Sequence, residues 1–183
     1  TKIINNPKGL VIGDTRYSRN IFSFRWTNEE REAIGIYEIN FDDSNKKDEE
    51  YYFNTNQSFD YADGEVTASY GSATPKELAD VTDEDNNVTK GLKSHKKDII
   101  KKQASGLLAP TDWYVLKAID VEDYSVPSAV STFRTNVRTR SNEMETAIDN
   151  ASDVDALKAL YEYTEQADGS FARPLGEFPT LEI

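Results

Sequence analysis

The chain has 183 residues, of which 37% are apolar and 30% charged, and 33 acidic residues against 21 basic ones give a net charge of −12. The aromatic share of 11% excludes a fully disordered chain. The charge argues against nucleic acid and anionic membranes as general partners, because phosphate groups bind clustered lysine and arginine. Since there is no cysteine, disulfides, thiolate catalysis and Cys-ligated zinc are excluded.

The first third of the chain predicts short strands around one helix. A strand is expected at 9–13 and an extended stretch at 16–22. Thr27 and Glu30 have the spacing of a capping box, so a short helix should begin there. Gly35 is expected to end that helix, because glycine accepts the left-handed conformation that follows a helix end.

A small antiparallel meander with an aromatic face is predicted between 36 and 70. Asp63-Gly64 stands between two runs that alternate apolar and polar residues, which is the strongest short-range signal for a hairpin. Tyr51 and Tyr52 should lie on one of its strands. Both are candidates for a protein interface, and their aromatic neighbours could also stack on a sugar.

The second half predicts helices. A short helix is expected from Pro75, followed by an acidic loop at 80–87 and a long helix at 88–108 that Pro110 ends. His95 falls on the apolar stripe of the long helix. Its many lysines form the one basic patch of the sequence, which is interpreted as the solvated face of an amphipathic helix rather than a nucleic-acid site.

Beyond the long helix, Trp113 should lie in a short extended piece at 113–116 and pack between two helices. The next helix is expected to have Ser125 as its N-cap. Ser152 should cap a last helix, and 168–183 is expected to form an extended tail. The apolar stripe of the middle helix consists of Val130, Phe133, Val137, Met144 and Ile148.

These elements predict an α+β protein in three parts. A β-rich domain at 1–74 would contain the meander and one short helix. A helical domain at 75–167 would contain about three helices in a hairpin-like arrangement, and the tail at 168–183 would follow. No apolar run approaches the roughly 20 residues of a membrane span, and the N-terminal segment at 1–5 does not have the pattern of a signal peptide.

Nothing in the sequence predicts a catalytic, cofactor or metal site. His95 is the single histidine, so a two-histidine metal site within one chain is excluded. The acidic run at 83–87 fails as an EF-hand loop, because Val88 and Ser94 occupy the glycine and glutamate positions. No phosphate-binding glycine motif is present. A carboxylate pair for glycoside cleavage is disfavoured by the small size of the chain, so the protein is not expected to be an enzyme.

Two stretches resemble tail-assembly chaperone and tail-fibre assembly proteins of marine and other bacteriophages. In the second, two leucines end a long helix, Thr-Asp-Trp follows, and the next helix carries the arginines Arg134 and Arg138. The stretches consist of Ile21-Phe22, residues 26–31 and 33–37, then residues 107–116, Val126-Pro127, Arg134, Arg138 and residues 144–148.

The resemblance implies a structural or adaptor component of a phage tail, in the fibre or baseplate region, that acts by protein–protein binding. It would be made in the host cytoplasm and reside in the virion. Partners would be other tail, fibre or baseplate subunits, with several copies around a symmetry axis and no nucleic acid or membrane. The interface candidates are Trp113, Tyr114, Arg134, Arg138, Tyr51 and Tyr52.

Three other functions stay open at this point. The first is a tail-fibre assembly chaperone that is not retained in the virion. The second is a receptor-binding or carbohydrate-binding module that uses the aromatic meander. The third is a small host-takeover protein that binds a basic host factor, for which the acidic charge would be suited.

Overall fold

The computed structural model of the chain describes residue 4 and residues 8–182. The chain is an α+β protein and divides into two compact units, one of Thr1–Asp48 with Asn54–Thr74 and one of Glu49–Phe53 with Pro75–Ile183. Most of the predicted segment at 1–5, and the last residue of the predicted tail, lie outside the described residues.

The first unit begins with a hairpin of β1 (Gly9–Ile12) and β2 (Thr15–Ser18), paired antiparallel with Leu10 opposite Tyr17. A 3-10 helix at Arg19–Phe22 follows, where the sequence predicted extended chain. It forms because the Ser18 side chain caps it, accepting a hydrogen bond from the Asn20 backbone N–H at 3.3 Å.

The predicted capping box is confirmed in helix α1 (Asn28–Glu32). The Thr27 hydroxyl accepts from the Glu30 N–H at 3.3 Å, and the Glu30 carboxylate accepts from the Thr27 N–H at 2.8 Å. Both bonds satisfy N–H groups that have no partner inside the helix. The chain turns at Gly35, whose φ of 82° is the left-handed conformation that glycine adopts readily.

The sheet of the first unit has the order β3 (Ile39–Asp42), β6 (Glu65–Ser69), β5 (Ser58–Ala62). The predicted Asp63-Gly64 hairpin is confirmed, with φ of 52° and 87° at the two turn residues. The pairing of β3 with β6 is parallel, however, so the sheet is not a fully antiparallel meander. A parallel pair needs a long connection, and here that connection includes the segment Glu49–Phe53 of the second unit.

Four two-residue strands lead into the helices of the second unit: β4 (Tyr52–Phe53), β7 (Thr74–Pro75), β8 (Val81–Thr82) and β9 (Val88–Thr89). The predicted helix from Pro75 is wrong. The carbonyls of Glu77 and Leu78 instead accept hydrogen bonds from the N–H groups of Leu92 and Lys93 at 2.9 and 3.0 Å. These bonds satisfy backbone N–H groups in the first turn of the next helix, which therefore begins after Gly91.

Helices α2 (Leu92–Leu108) and α4 (Ser128–Asn150) form an antiparallel hairpin that contains most of the core. Two ion pairs follow the antiparallel direction, since Lys97 meets Asp149 at 2.7 Å and Lys101 meets Glu145 at 3.3 Å. The predicted stripe of α4 is confirmed, because all of its members are buried: Val130, Phe133, Val137, Met144 and Ile148. The N-cap is Pro127, without a side-chain hydrogen bond, rather than Ser125.

On α2 the buried positions follow steps of four residues, Leu92, Lys96, Ile100 and Ala104. His95 is exposed, as expected for a residue on the helix surface, and it does not share the buried side with the apolar stripe. The 3-10 turn Ala109–Thr111 follows, and then helix α3 (Asp112–Asp120), where the sequence predicted an extended piece. A short apolar run does not distinguish strand from helix by its periodicity.

The C-terminal part of the second unit packs back onto the helical hairpin. Helix α5 (Val154–Ala159) is capped by Asp153, which accepts from the Ala156 N–H at 2.8 Å, rather than by Ser152. Strands β10 (Thr164–Glu165) and β11 (Phe171–Ala172) follow as a hairpin. Leu175 is only 2% exposed.

The last described residues complete the core instead of forming an extended tail. Phe178 and Leu181 pack against the cluster of Ala104, Phe133 and Val137. The guanidinium of Arg140, on α4, donates to the Leu175 carbonyl at 2.8 Å and to the Glu177 carbonyl at 3.2 Å.

Candidate protein-binding surfaces

Helix α3 presents large apolar side chains to solvent and buries none of its own residues. Trp113 is 50% exposed, Leu116 61% and Ile119 76%, and Val121, just after the helix, is 44% exposed. Steps of three residues place the first three on neighbouring positions along one side of the helix. These four residues are called the α3 face. Trp113 therefore does not pack between two helices, as its sequence context predicted.

The start of α3 is fixed to the helical hairpin by Arg134. This guanidinium donates to the Leu108 carbonyl at 3.1 Å and to the Thr111 hydroxyl at 2.5 Å, and it pairs with Asp112 at 2.8 Å. Its side chain is 11% exposed. Arg134 was predicted as an interface residue, but its donors are used to hold α3 in place. The α3 face is thus carried by a preformed element.

Acidic residues border the α3 face at its C-terminal end, where Asp120, Glu122 and Asp123 are all exposed. The one basic side chain on α3, Lys117, lies over aromatic rings, 4.3 Å from the centre of Tyr124 and 5.9 Å from that of Trp113. The segment 112–123 holds four acids and one base. A partner with basic groups around an apolar centre would complement it.

Tyr114 is half-buried, and its ring lies 3.8 Å from that of Trp113, centre to centre. Arg138 is exposed on α4 and donates to the Arg134 carbonyl at 3.3 Å. These two predicted interface residues therefore keep surface that a partner could reach. Sequence reasoning missed Leu116 and Ile119, although their three-residue spacing from Trp113 is a helical signal.

Tyr51 and Tyr52 are not available to a partner as predicted, because they are 3% and 6% exposed. The Tyr51 ring covers Lys96, whose ammonium lies 4.7 Å from the ring centre. The Tyr52 hydroxyl donates to the Asp155 carboxylate, and this bond together with burial raises the pKa of Tyr52 to about 12. Both tyrosines hold the segment Glu49–Phe53 within the second unit.

Lys96 is a charged residue inside this unit, with a side chain that is 8% exposed. It pairs with Glu50 at 2.5 Å and also lies 4.3 Å from the centre of the Tyr161 ring. Burial lowers its pKa, but hydrogen bonds to Glu50 and Tyr51 outweigh that effect and leave the pKa raised. Lys96 therefore stays charged at neutral pH, which suits a structural cation between two rings and not an amine nucleophile.

A second exposed apolar side chain lies in the first unit, on the loop at 21–26, called the Phe24 loop. Phe24 is 96% exposed. The loop beneath it is held by Arg31, whose guanidinium donates to the carbonyls of Ile21 at 3.2 Å, Ser23 at 3.5 Å and Trp26 at 2.9 Å. Sequence reasoning did not single out Phe24, since one apolar residue in a turn carries no periodic signal.

Basic residues surround the Phe24 loop in the sequence. Residues 8–26 contain Lys8, Arg16, Arg19 and Arg25 against one acid, Asp14, in a chain whose net charge is −12. The loop is joined to the β1–β2 hairpin by the Tyr17 and Trp26 rings, which meet edge to face with their centres 6.2 Å apart. Val11 of that hairpin is 63% exposed. The chain that leads into the Phe24 loop is thus basic, whereas α1 directly after the loop carries the exposed acids Glu29, Glu30 and Glu32.

The part of the chain that the structure describes contains no cluster of metal-binding side chains. Among residues 4 and 8–182, no three His, Asp or Glu side chains converge so that they could hold a metal ion. A shallow cavity of about 330 Å³ between α4 and the C-terminal segment is lined by a single titratable side chain in this part of the chain, Glu182. None of the helices described here is long and apolar enough to cross a membrane.

Comparison of the chain with protein-family models, with curated proteins and with solved structures gave no match. The α3 face and the Phe24 loop both place large, exposed apolar side chains on backbone that an arginine holds.

Proposed function

We propose that this chain is a structural or adaptor protein of a bacteriophage tail, in the fibre or baseplate region, and that it acts by binding other proteins. The observation that carries the binding function is the α3 face, four apolar side chains between 44% and 76% exposed. The assignment to a tail is supported by the sequence resemblance at 107–116, Val126-Pro127, Arg134, Arg138 and 144–148. The protein would be made in the host cytoplasm and reside in the virion.

The α3 face keeps apolar surface in contact with water. Contiguous exposed apolar groups on a soluble protein mark sites of interaction, and buried tryptophan at the centre of an interface often contributes most of its binding energy. Trp113 is held near the fixed end of α3, because Asp112 beside it pairs with Arg134 at 2.8 Å. Little ordering of the backbone is then needed on binding.

The test is photo-crosslinking in infected cells and in purified virions. A photoreactive amino acid replaces Leu116 on the α3 face, and the matched control carries it at Ile99, which is 46% exposed on α2. Crosslinks from position 116 within the virion, to tail subunits or to another copy, would support the proposal. Their absence from both samples would overturn it.

The same experiment separates the adaptor from the assembly chaperone. A chaperone would be crosslinked in infected cells, and its peptides would be missing from purified virions. The carbohydrate-binding alternative loses Tyr51 and Tyr52, which are buried and cannot stack on a sugar, but it keeps the exposed rings of Phe53 and Tyr61.

A further inference from the structure

We infer that the partner seated on the α3 face is a second copy of this chain, which presents its Phe24 loop. The inference rests on the proposed binding function and names its partner. The contact would join two different surfaces, the α3 face of one copy and the Phe24 loop of the next.

The chain segments that carry the two surfaces have opposite net charge. The segment 8–26 has four bases and one acid, whereas the segment 112–123 has four acids and one base. Asp112 is already paired with Arg134, so the acids at the C-terminal end of α3 are the ones that would face arginines. Opposite charges at the rim of an apolar contact favour this pairing and speed the encounter.

The two surfaces also match in their apolar groups. Phe24 stands 96% exposed on a loop that Arg31 holds through three backbone carbonyls. A rigid, isolated aromatic side chain is suited to act as an anchor that buries in a partner's apolar surface. On the α3 face, Leu116 and Ile119 offer such a surface at 61% and 76% exposure.

Self-pairing of either surface is disfavoured by the same charges. Two α3 faces would bring Asp120, Glu122 and Asp123 of both copies together, and two Phe24 loops would bring Arg19 and Arg25 together. Like charges at an interface are costly. A contact between two different surfaces remains, and such heterologous contacts generate rings when the rotation closes and filaments when it does not.

The experiment is a complementation of two surface variants of the full chain. Phe24→Ser removes the anchor and Ile119→Glu removes the apolar face, and neither change touches a buried residue. The oligomeric state is measured by analytical ultracentrifugation. The wild type should form oligomers, and each variant alone should associate at least about tenfold more weakly, as expected for an interface hot spot.

An equimolar mixture of the two variants should give dimers that do not grow, because each pair keeps one intact contact. Phe171→Ser, at a residue 66% exposed on β11, is the matched control and should assemble like the wild type. Reversal of Arg25 to Glu should weaken assembly, and the added change Asp120→Arg should restore part of it. Raising the ionic strength from about 0.1 to about 1 M shortens the Debye length from about 10 to about 3 Å and should weaken assembly too.

Several results would overturn the inference. They are a wild type that stays monomeric at its highest soluble concentration, a mixture that forms no dimer, and a Phe24→Ser variant that assembles like the wild type. If position 116 still crosslinks to a different protein in the virion, the inference fails and the proposed function stands. If those crosslinks are also missing, both fail.

Discussion

The two units of this protein bury their apolar side chains to different extents. Of the sixteen buried apolar residues in the described part of the chain, only Ile21 and Ala68 belong to the first unit. That unit depends instead on turns and hydrogen bonds, such as those of Arg31 to three carbonyls. The second unit has a continuous core between α2 and α4. The larger unit thus has an apolar core of its own, whereas the smaller one buries few apolar groups; both leave large apolar side chains on their surfaces.

The sharpest test of this comparison contrasts two phenylalanines. Phe133 is 6% exposed in the core of the second unit, and Phe24 is 96% exposed in the first. Phe133→Ala should lower the free energy of unfolding of the helical unit by about 3–5 kcal/mol, the usual cost of deleting a buried aromatic ring. Phe24→Ala should change stability by about 0.5 kcal/mol or less. Urea unfolding of dilute protein, followed by circular dichroism, measures both, and equal losses would contradict the comparison.

A pair of glycines tests whether the C-terminal segment belongs to the core of the second unit. Gly176 has a φ of 71°, and a Cβ there would lie 1.4 Å from a guanidinium nitrogen of Arg140. Gly176→Ala should therefore destabilise the unit by about 1–3 kcal/mol. Gly106 lies in α2 with nothing within 4 Å of an added Cβ, so Gly106→Ala should stabilise by about 0.5–1 kcal/mol. Thermal unfolding measures the stability change of both variants. A Gly176→Ala variant as stable as the wild type would show that the C-terminal segment is dispensable for the core.

Lys96 tests the contribution of a buried cation to the same unit. Lys96→Met removes contacts to the rings of Tyr51 and Tyr161 and the ion pair with Glu50. A desolvated cation–π contact is worth about 2 kcal/mol, and we expect a loss of that size. Lys102→Met, at an exposed position of α2, should change stability by about 0.5 kcal/mol or less. Identical midpoints in chemical unfolding would show that the contacts of Lys96 contribute nothing to stability.

The smallest expected effect is a dependence on acid. The pKa of Asp80 is lowered by hydrogen bonds from Ser94 and Gly91, and that of Asp83 by Asn87. The pKa of Asp98 is lowered by a hydrogen bond from Lys90, and that of Asp153 by a hydrogen bond from the Ala156 N–H. A carboxyl group whose pKa is lower in the folded than in the unfolded chain stabilises the fold at pH values above its unfolded pKa. That contribution is lost as the pH falls through the pKa of the folded state. All four belong to the second unit.

Helical circular dichroism during unfolding should therefore show declining stability of the second unit from about pH 5 to about pH 2. Asp83→Asn should make the decline shallower, because the substituted amide does not titrate. A flat profile between these pH values would contradict the contribution of these carboxylates.

Local signals in the sequence predicted a good part of this fold. The capping box at Thr27, the turn at Asp63-Gly64 and the buried stripe of α4 were all recognisable, because each depends on residues within a few positions. The parallel pairing of β3 and β6 was not, since it joins residues 27 positions apart, such as Ile39 and Val66. A pairing between residues so far apart cannot be recognised from a short stretch of the sequence.

The candidate surfaces were predicted less well than the fold. Trp113 was singled out, but its run of bulky residues predicted a strand, and the side chains that accompany it on the helix were missed. Lys96 could have been recognised, because it falls at the four-residue step between Leu92 and Ile100. A charged residue in an apolar stripe is usually assigned to solvent, and only its tyrosine neighbours from a distant segment explain its burial.

The path of the chain between its units also limits how the protein can be divided. Glu49–Phe53 belongs to the helical unit although the residues on both sides of it belong to the other. A fragment that begins at residue 75 would contain Lys96 without Glu50, its ion-pair partner, and without Tyr51, whose ring covers it. No single cut therefore separates the two units, and recombination that shuffles modules would have to transfer them together.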